Sequence, residues 1–258
     1  MFESHKTTKC ISDLATILIH APSLGIGAGI AAAVIIGALF VINGLPISDT
    51  GFKTEDIKEA EKAQIQEQVP QQVQMSVFSD NASPILGDTN APITIVEFGD
   101  YQCFYCNKFF HDTESQIYDN YIKTGKAKLI FKDFTIIGSD SVVAAHAAHC
   151  ADEQGKFWEY HDTLYNNWNG ENNGWASAQN QLKFAQHVGL DEAKFKECMA
   201  SEKYTQKIQS SSEDAKTLGL TGTPAFFVIG PNNKIVKVPG AQPYDVFANI
   251  LDSEEMSN

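Results

Sequence analysis

The chain has 258 residues, 43% hydrophobic and 10% aromatic, enough for a folded core in one large domain or two small ones. Its 19 basic residues, all lysine, stand against 32 acidic ones for a net charge of −13. That balance argues against nucleic-acid binding, which concentrates basic side chains and arginine in particular.

Residues 1–23 read as a short tail and residues 24–47 as a transmembrane anchor. The anchor stretch carries no charge and is dominated by Ile, Ala, Val, Gly and Leu. It would extend about 36 Å as a helix, enough to cross a hydrocarbon core of about 30 Å. A cleaved signal peptide is the competing reading, but the apolar stretch is long and no small-x-small cleavage site stands out near Asn43-Gly44-Leu45-Pro46. Lys6 and Lys9 precede the span, while Asp49 and a mixed-charge stretch follow it. The positive-inside rule then places the tail in the cytoplasm and the large domain outside. Residues 48–74, rich in Glu, Gln and Lys, read as an exposed linker.

The folded domain is expected over residues 75–258. Short apolar runs rich in β-branched or aromatic residues predict strands at 93–98, 128–134, 225–229 and 234–238. Between the second and third lies a helical insertion over about 139–218, punctuated by Gly155, Gly170, Gly174 and Gly189. Gly189-Leu190-Asp191 reads as one helix stopping and the next being capped. A last helix is expected over 244–251. Strand, helix and strand, then a helical insertion, a hairpin and a final helix spell an α/β domain.

Cys103-Phe104-Tyr105-Cys106 falls between the first strand and a helix expected over 107–121. Two thiols three apart at a helix N-terminus can close a small disulfide. The unpaired N–H groups and the helix dipole there stabilise a thiolate, and thiol pKa values in such motifs fall to roughly 3.5–7.5. Thr221-Gly222-Thr223-Pro224 leads into the third strand. A proline entering a strand that reads as central needs a special reason, such as a cis Thr223–Pro224 bond.

With these residues in place, the stretch from Ser83 through Cys103 and Cys106 resembles the DsbA-like thiol–disulfide oxidoreductases. So does the 147–161 stretch within the insertion. The resemblance covers about 75–251. It implies a thioredoxin-like fold with an inserted helical subdomain, with Thr221–Pro224 as its cis-proline loop. It also implies a membrane-anchored, extracytoplasmic enzyme that forms or exchanges disulfides in exported proteins. Its partners would be cysteine-containing substrates and a membrane redox partner that re-oxidises the dithiol; no nucleic acid and no cofactor are implied. The family's strongest oxidants carry proline and histidine between the cysteines. Phe104-Tyr105 lacks the imidazole, which implies a less stabilised thiolate and a less oxidising disulfide.

In that setting Cys103 is expected to be the exposed nucleophile and Cys106, one turn in, the resolving thiol. Thr223 and Pro224 would border Cys103 and present backbone to an extended substrate. Glu97 occupies the place of the family's buried acid and Lys132 that of its lysine partner in some relatives. The plain alternatives are a solvent-facing carboxylate and a strand-end lysine. Cys150 and Cys198 both fall in the insertion, and an oxidising compartment favours a second disulfide between them over two buried free thiols. Cys10 is then left unpaired. His146, His149 and Cys150 share one helix face, with His161 following, but no second ligand cluster is evident and no metal is assigned. Other readings of the site are an isomerase or reductase, a copper metallochaperone using the two thiols, and a binding module without redox turnover.

Overall fold

The structure, a computed structural model, describes residues 74–253 and Met256. The anchor expected at 24–47, the tail before it, Cys10 and nearly all of the linker lie outside the described residues. Among the described residues no helix is long and apolar enough to cross a membrane.

A short helix, α1 (Ser76–Ser79), precedes strand β1 (Ile93–Gly99). Helix α2 (Phe104–Phe109) starts at the end of β1 and runs on through a π-helical turn at Phe110–Glu114, a short α segment at Ser115–Ile117 and a second π turn at Tyr118–Ile122. Strand β2 (Ala127–Asp133) pairs parallel to β1. After the insertion, β3 (Ala225–Ile229) pairs antiparallel with β1, and β4 (Ile235–Pro239) antiparallel with β3. The sheet order is therefore β2-β1-β3-β4. Helix α8 (Tyr244–Leu251) follows. β2 and β4 lie within one residue of the runs predicted from sequence.

β1 and β3 are buried almost throughout, as expected of central strands covered on both faces. Because side chains alternate, Ile95, Phe226 and Val228 face one layer, where Phe109 of α2 and Phe247 of α8 pack on Phe226 at ring distances of 4.3 and 5.0 Å. Val96, Phe98 and Phe227 face the other, closed by Phe78 of α1 and by Ala215.

The insertion contains α3 (Ser139–Asp152), α4 (Phe157–Asn166), α5 (Ala178–Val188), α6 (Glu192–Ser201) and α7 (Thr205–Thr217). Ala144, Ala145, Ala147, Ala148 and Ala151 are all buried on α3, where small side chains let neighbouring helices pack closely. Gly189 ends α5 in the left-handed conformation at φ 73°, and Asp191 caps α6 by accepting from the N–H groups of Ala193 and Lys194. Cys150 and Cys198 form a disulfide that ties α3 to α6.

Candidate active site

The three residues before Cys103 each anchor the β1–α2 turn to a different part of the molecule. The Asp100 carboxylate accepts from the N–H of Gln102 (2.8 Å) and from the N–H groups of Ile136 (2.8 Å) and Ile137 (3.0 Å). Tyr101 stacks on Phe131 of β2, and its hydroxyl pairs with His161 Nδ1 at 3.1 Å. Gln102 is fully buried. Its amide donates to Ser141 on α3 (2.9 Å) and accepts from the Asn172 N–H (3.0 Å), while its carbonyl accepts from Trp168 Nε1 (2.8 Å). The turn is therefore held by sheet and insertion together, a precondition for holding a reacting sulfur in place. Gly99 completes the junction. A Cβ there would lie 2.4 Å from the Phe131 ring, so the backbone approaches β2 as only glycine allows.

Cys103 caps α2 in extended conformation, and both Cys103 and Cys106 are free thiols; Cys103, expected to be exposed, is instead buried at 4% exposure because the Thr223–Pro224 loop covers its sulfur. A hydrogen bond from the Cys106 side chain pulls the Cys103 thiol down to about 6. Burial opposes that shift, while the Thr223 side chain and the backbone N–H groups of Cys106 and Tyr105 reinforce it. Cys106 goes the other way: burial first, then its bond to Cys103 and the charges of Cys103 and Glu97, push it well up. One sulfur is prepared to ionise and the other to stay protonated.

Thr223 and Pro224 come to this point from the start of β3. The Thr223–Pro224 bond is cis, and the Cys103 thiol donates to the Thr223 carbonyl at 3.3 Å. That bond is open only to the protonated thiol, so the carbonyl becomes free as Cys103 ionises or enters a disulfide. Beside it, Phe104 and Tyr105 are 49% and 58% exposed, large apolar rings presented to solvent next to the sulfur.

Glu97 lies buried on the same face of the sheet as Phe131 and Phe226. Both its oxygens lack a hydrogen-bond partner. Burial, then the charges of Glu114 and Cys103, raise it well above the usual carboxylate range. Lys132 is not brought to the site. It pairs in register with Phe98, one residue along from Glu97, so its side chain points to the opposite face. There its ammonium donates to the carbonyls of Val77 (2.8 Å) and Asp80 (2.5 Å) and to the Asp214 carboxylate (2.6 Å). The lysine expected as a partner of Glu97 instead ties α1 and α7 to the sheet. The helical histidines are also separately engaged: His149 Nε2 with Asp133 at 2.7 Å, and His146 Nε2 with the Cys198 carbonyl at 3.3 Å.

Several site residues carry no local signal in the sequence. Glu171, in the loop after α4, accepts from the Phe104 N–H at 3.0 Å and so places a carboxylate at the N-terminus of α2. Trp168 packs against Phe104 at 5.8 Å. Glu114, buried on the π turn of the helix that begins at Phe104, is the largest charge acting on Glu97.

Over residues 79–253 the chain matches a family described as Thioredoxin. A probable disulfide bond formation protein D from Bacillus cereus is 29% identical over 158 residues, 60% of this chain and 73% of that one. The crystal structure of oxidised BdbD from Bacillus subtilis matches with a TM-score of 0.60 at 25% identity, covering 68% of this chain and 93% of that chain. A thioredoxin-like oxidoreductase from Silicibacter pomeroyi matches with a TM-score of 0.58 at 30% identity, over 70% of this chain and 96% of the other.

Proposed function

Because this chain belongs to the thioredoxin family and is a thiol–disulfide oxidoreductase of the DsbA-like kind, we propose that Cys103 and Cys106 are its redox pair and that it introduces disulfides into exported proteins. The observation that carries this reading is the asymmetry of the two thiols: Cys103, at the helix entrance, is lowered to about 6 while Cys106 is pushed up.

In the oxidised enzyme a substrate thiolate attacks the Cys103 sulfur. The Cys103–Cys106 bond breaks, a mixed disulfide forms at Cys103, and Cys106 leaves with the electron pair. Cys106 then takes a proton, and Glu97, a buried acid whose proton affinity burial raises, is the nearby group suited to supply it. A second substrate thiolate attacks its own sulfur in the mixed disulfide and expels Cys103. A thiol of low pKa leaves readily, which favours this step over reversal. Two electrons pass from the substrate to the enzyme; the substrate thiols release their two protons to solvent, one of which restores Glu97, Cys103 is left as the thiolate, and a membrane partner bearing its own disulfide accepts the electrons in turn. The exposed Phe104 and Tyr105 rings and the Thr223 carbonyl form the surface on which an extended, unfolded substrate is held.

An extracytoplasmic, membrane-anchored location is part of the proposal. It is supported by the uncharged 24–47 stretch and by the Cys150–Cys198 disulfide, a bond suited to an oxidising compartment. A second reading, an isomerase or reductase, is favoured by one feature: Glu171 occupies a helix N-terminal N–H and sets negative charge beside the thiolate. A reduction potential near that of thioredoxin, about −270 mV, would favour this second reading; one near that of DsbA, about −120 mV, the first.

The decisive experiment replaces each cysteine in cells. Cys106→Ala should accumulate mixed disulfides with exported proteins through Cys103, and Cys103→Ala should accumulate none. Trapping through Cys106 instead would reverse the assignment. Protease added to spheroplasts should digest the domain; protection until lysis would place it in the cytoplasm.

A further inference from the structure

We propose that Glu114, His161 and Asp162 form a binding site for a divalent transition-metal ion of the zinc class, separate from the thiol pair. A carboxylate oxygen of Glu114, a ring nitrogen of His161 and a carboxylate oxygen of Asp162 lie within 4.8 Å of one another. Glu114 comes from the π-helical turn at Phe110–Glu114, and the other two are consecutive on α4. Widened turns of this kind are frequent at functional sites.

Three further observations point to a cation. The first is unmet bonding capacity. Glu114 Oε2 and His161 Nε2 are both buried and have no hydrogen-bond partner, an arrangement costly to a fold unless something supplies the missing interaction. The second is the state of His161. Its Nδ1 is already held by the Tyr101 hydroxyl at 3.1 Å, the outer hydrogen bond that commonly orients a ligating histidine. The third is access and charge. Glu114 and Asp162 open onto a cleft of about 420 Å³, whose wall also carries Asp119, Glu159 and His111 and no lysine. Such a cleft concentrates cations.

The donor set selects among them. One imidazole nitrogen with two carboxylates and room for water suits zinc and its neighbours; calcium and magnesium prefer oxygen alone. Because Glu114 also acts on Glu97, a bound ion would lie within electrostatic reach of the thiols.

The test titrates zinc chloride into the full-length protein by calorimetry, with Cys103 and Cys106 oxidised so that neither thiol can ligate. One zinc ion should bind per chain. Glu114→Gln and Asp162→Asn should each weaken binding at least tenfold, with metal-free thermal unfolding unchanged in the exposed Asp162→Asn variant. X-ray absorption should show one nitrogen and oxygen ligands at about 2.0–2.2 Å and no sulfur. No binding at micromolar zinc, equal binding by both variants, or a sulfur-dominated spectrum would overturn the site. None of these outcomes touches the thiol assignment, which the trapping experiment tests by itself.

Discussion

The largest influence lowering Cys103 is the hydrogen bond from the Cys106 side chain, and removing it should move the titration of Cys103 by a predictable amount. A hydrogen bond to a charged group contributes about 1.5–3 kcal/mol, and one pKa unit corresponds to about 1.4 kcal/mol. Cys106→Ala should therefore raise the Cys103 midpoint from about 6 to about 7–8. It should stop short of an ordinary thiol, because the N–H groups of Cys106 and Tyr105 remain. At pH 6 the thiolate fraction would drop from about one half to between about one tenth and one hundredth. Alkylation by iodoacetamide at that pH should slow about 5- to 50-fold, and the ultraviolet absorbance of the thiolate should titrate at the higher midpoint. Cys106→Ser keeps a donor at the same place and should hold the midpoint well below that of the alanine variant. Equal midpoints in the serine and alanine variants, or no shift in either, would refute the idea that a side-chain donor at position 106 stabilises the thiolate.

Other outcomes follow from the same geometry. Cys103 is depressed in the folded dithiol from about 9 to about 6, so its contribution to stability is complete above pH 9 and is lost as the pH falls through 6. Urea unfolding of the reduced protein and of Cys103→Ser should diverge in favour of the former across that window; parallel curves would contradict the shift. Glu97 is raised instead, so its ionised form penalises the fold once the pH exceeds the unfolded value near 4.5. Glu97→Gln removes that ionisation cost but leaves a buried polar amide, so its stability relative to the parent should rise from acid to neutral pH in urea unfolding. The same variant should slow disulfide exchange with a model peptide, whereas an unchanged rate would remove Glu97 from proton transfer. Cys150 and Cys198 are 48 residues apart, a loop whose closure contributes about 4 kcal/mol in the chain-entropy model. Replacing both with serine should lower stability by about 2–4 kcal/mol in urea while leaving the Cys103 midpoint in place.

Much of this molecule can be read along the chain. The apolar runs of β1 and β3 announce buried strands because a central strand has no polar face to show. Gly189 and Asp191 mark a helix end and a helix start because caps are local: one residue adopts a left-handed turn, and one side chain reaches two N–H groups ahead of it. Cys103-Phe104-Tyr105-Cys106 could be placed at a strand–helix junction for the same reason. The opposite fates of Glu97 and Lys132 could not be read this way. Each sits in a well-predicted strand, but the face each presents depends on the register Phe98↔Lys132, which is set by pairing between segments more than thirty residues apart. Glu171, Trp168 and Glu114 are equally silent. Their surroundings are made by the insertion folding back on the β1–α2 turn, and only that packing decides which carboxylates lose their water and which find a donor. Local backbone preference is a property of neighbours in sequence, whereas burial, charge and proton affinity are properties of neighbours in space.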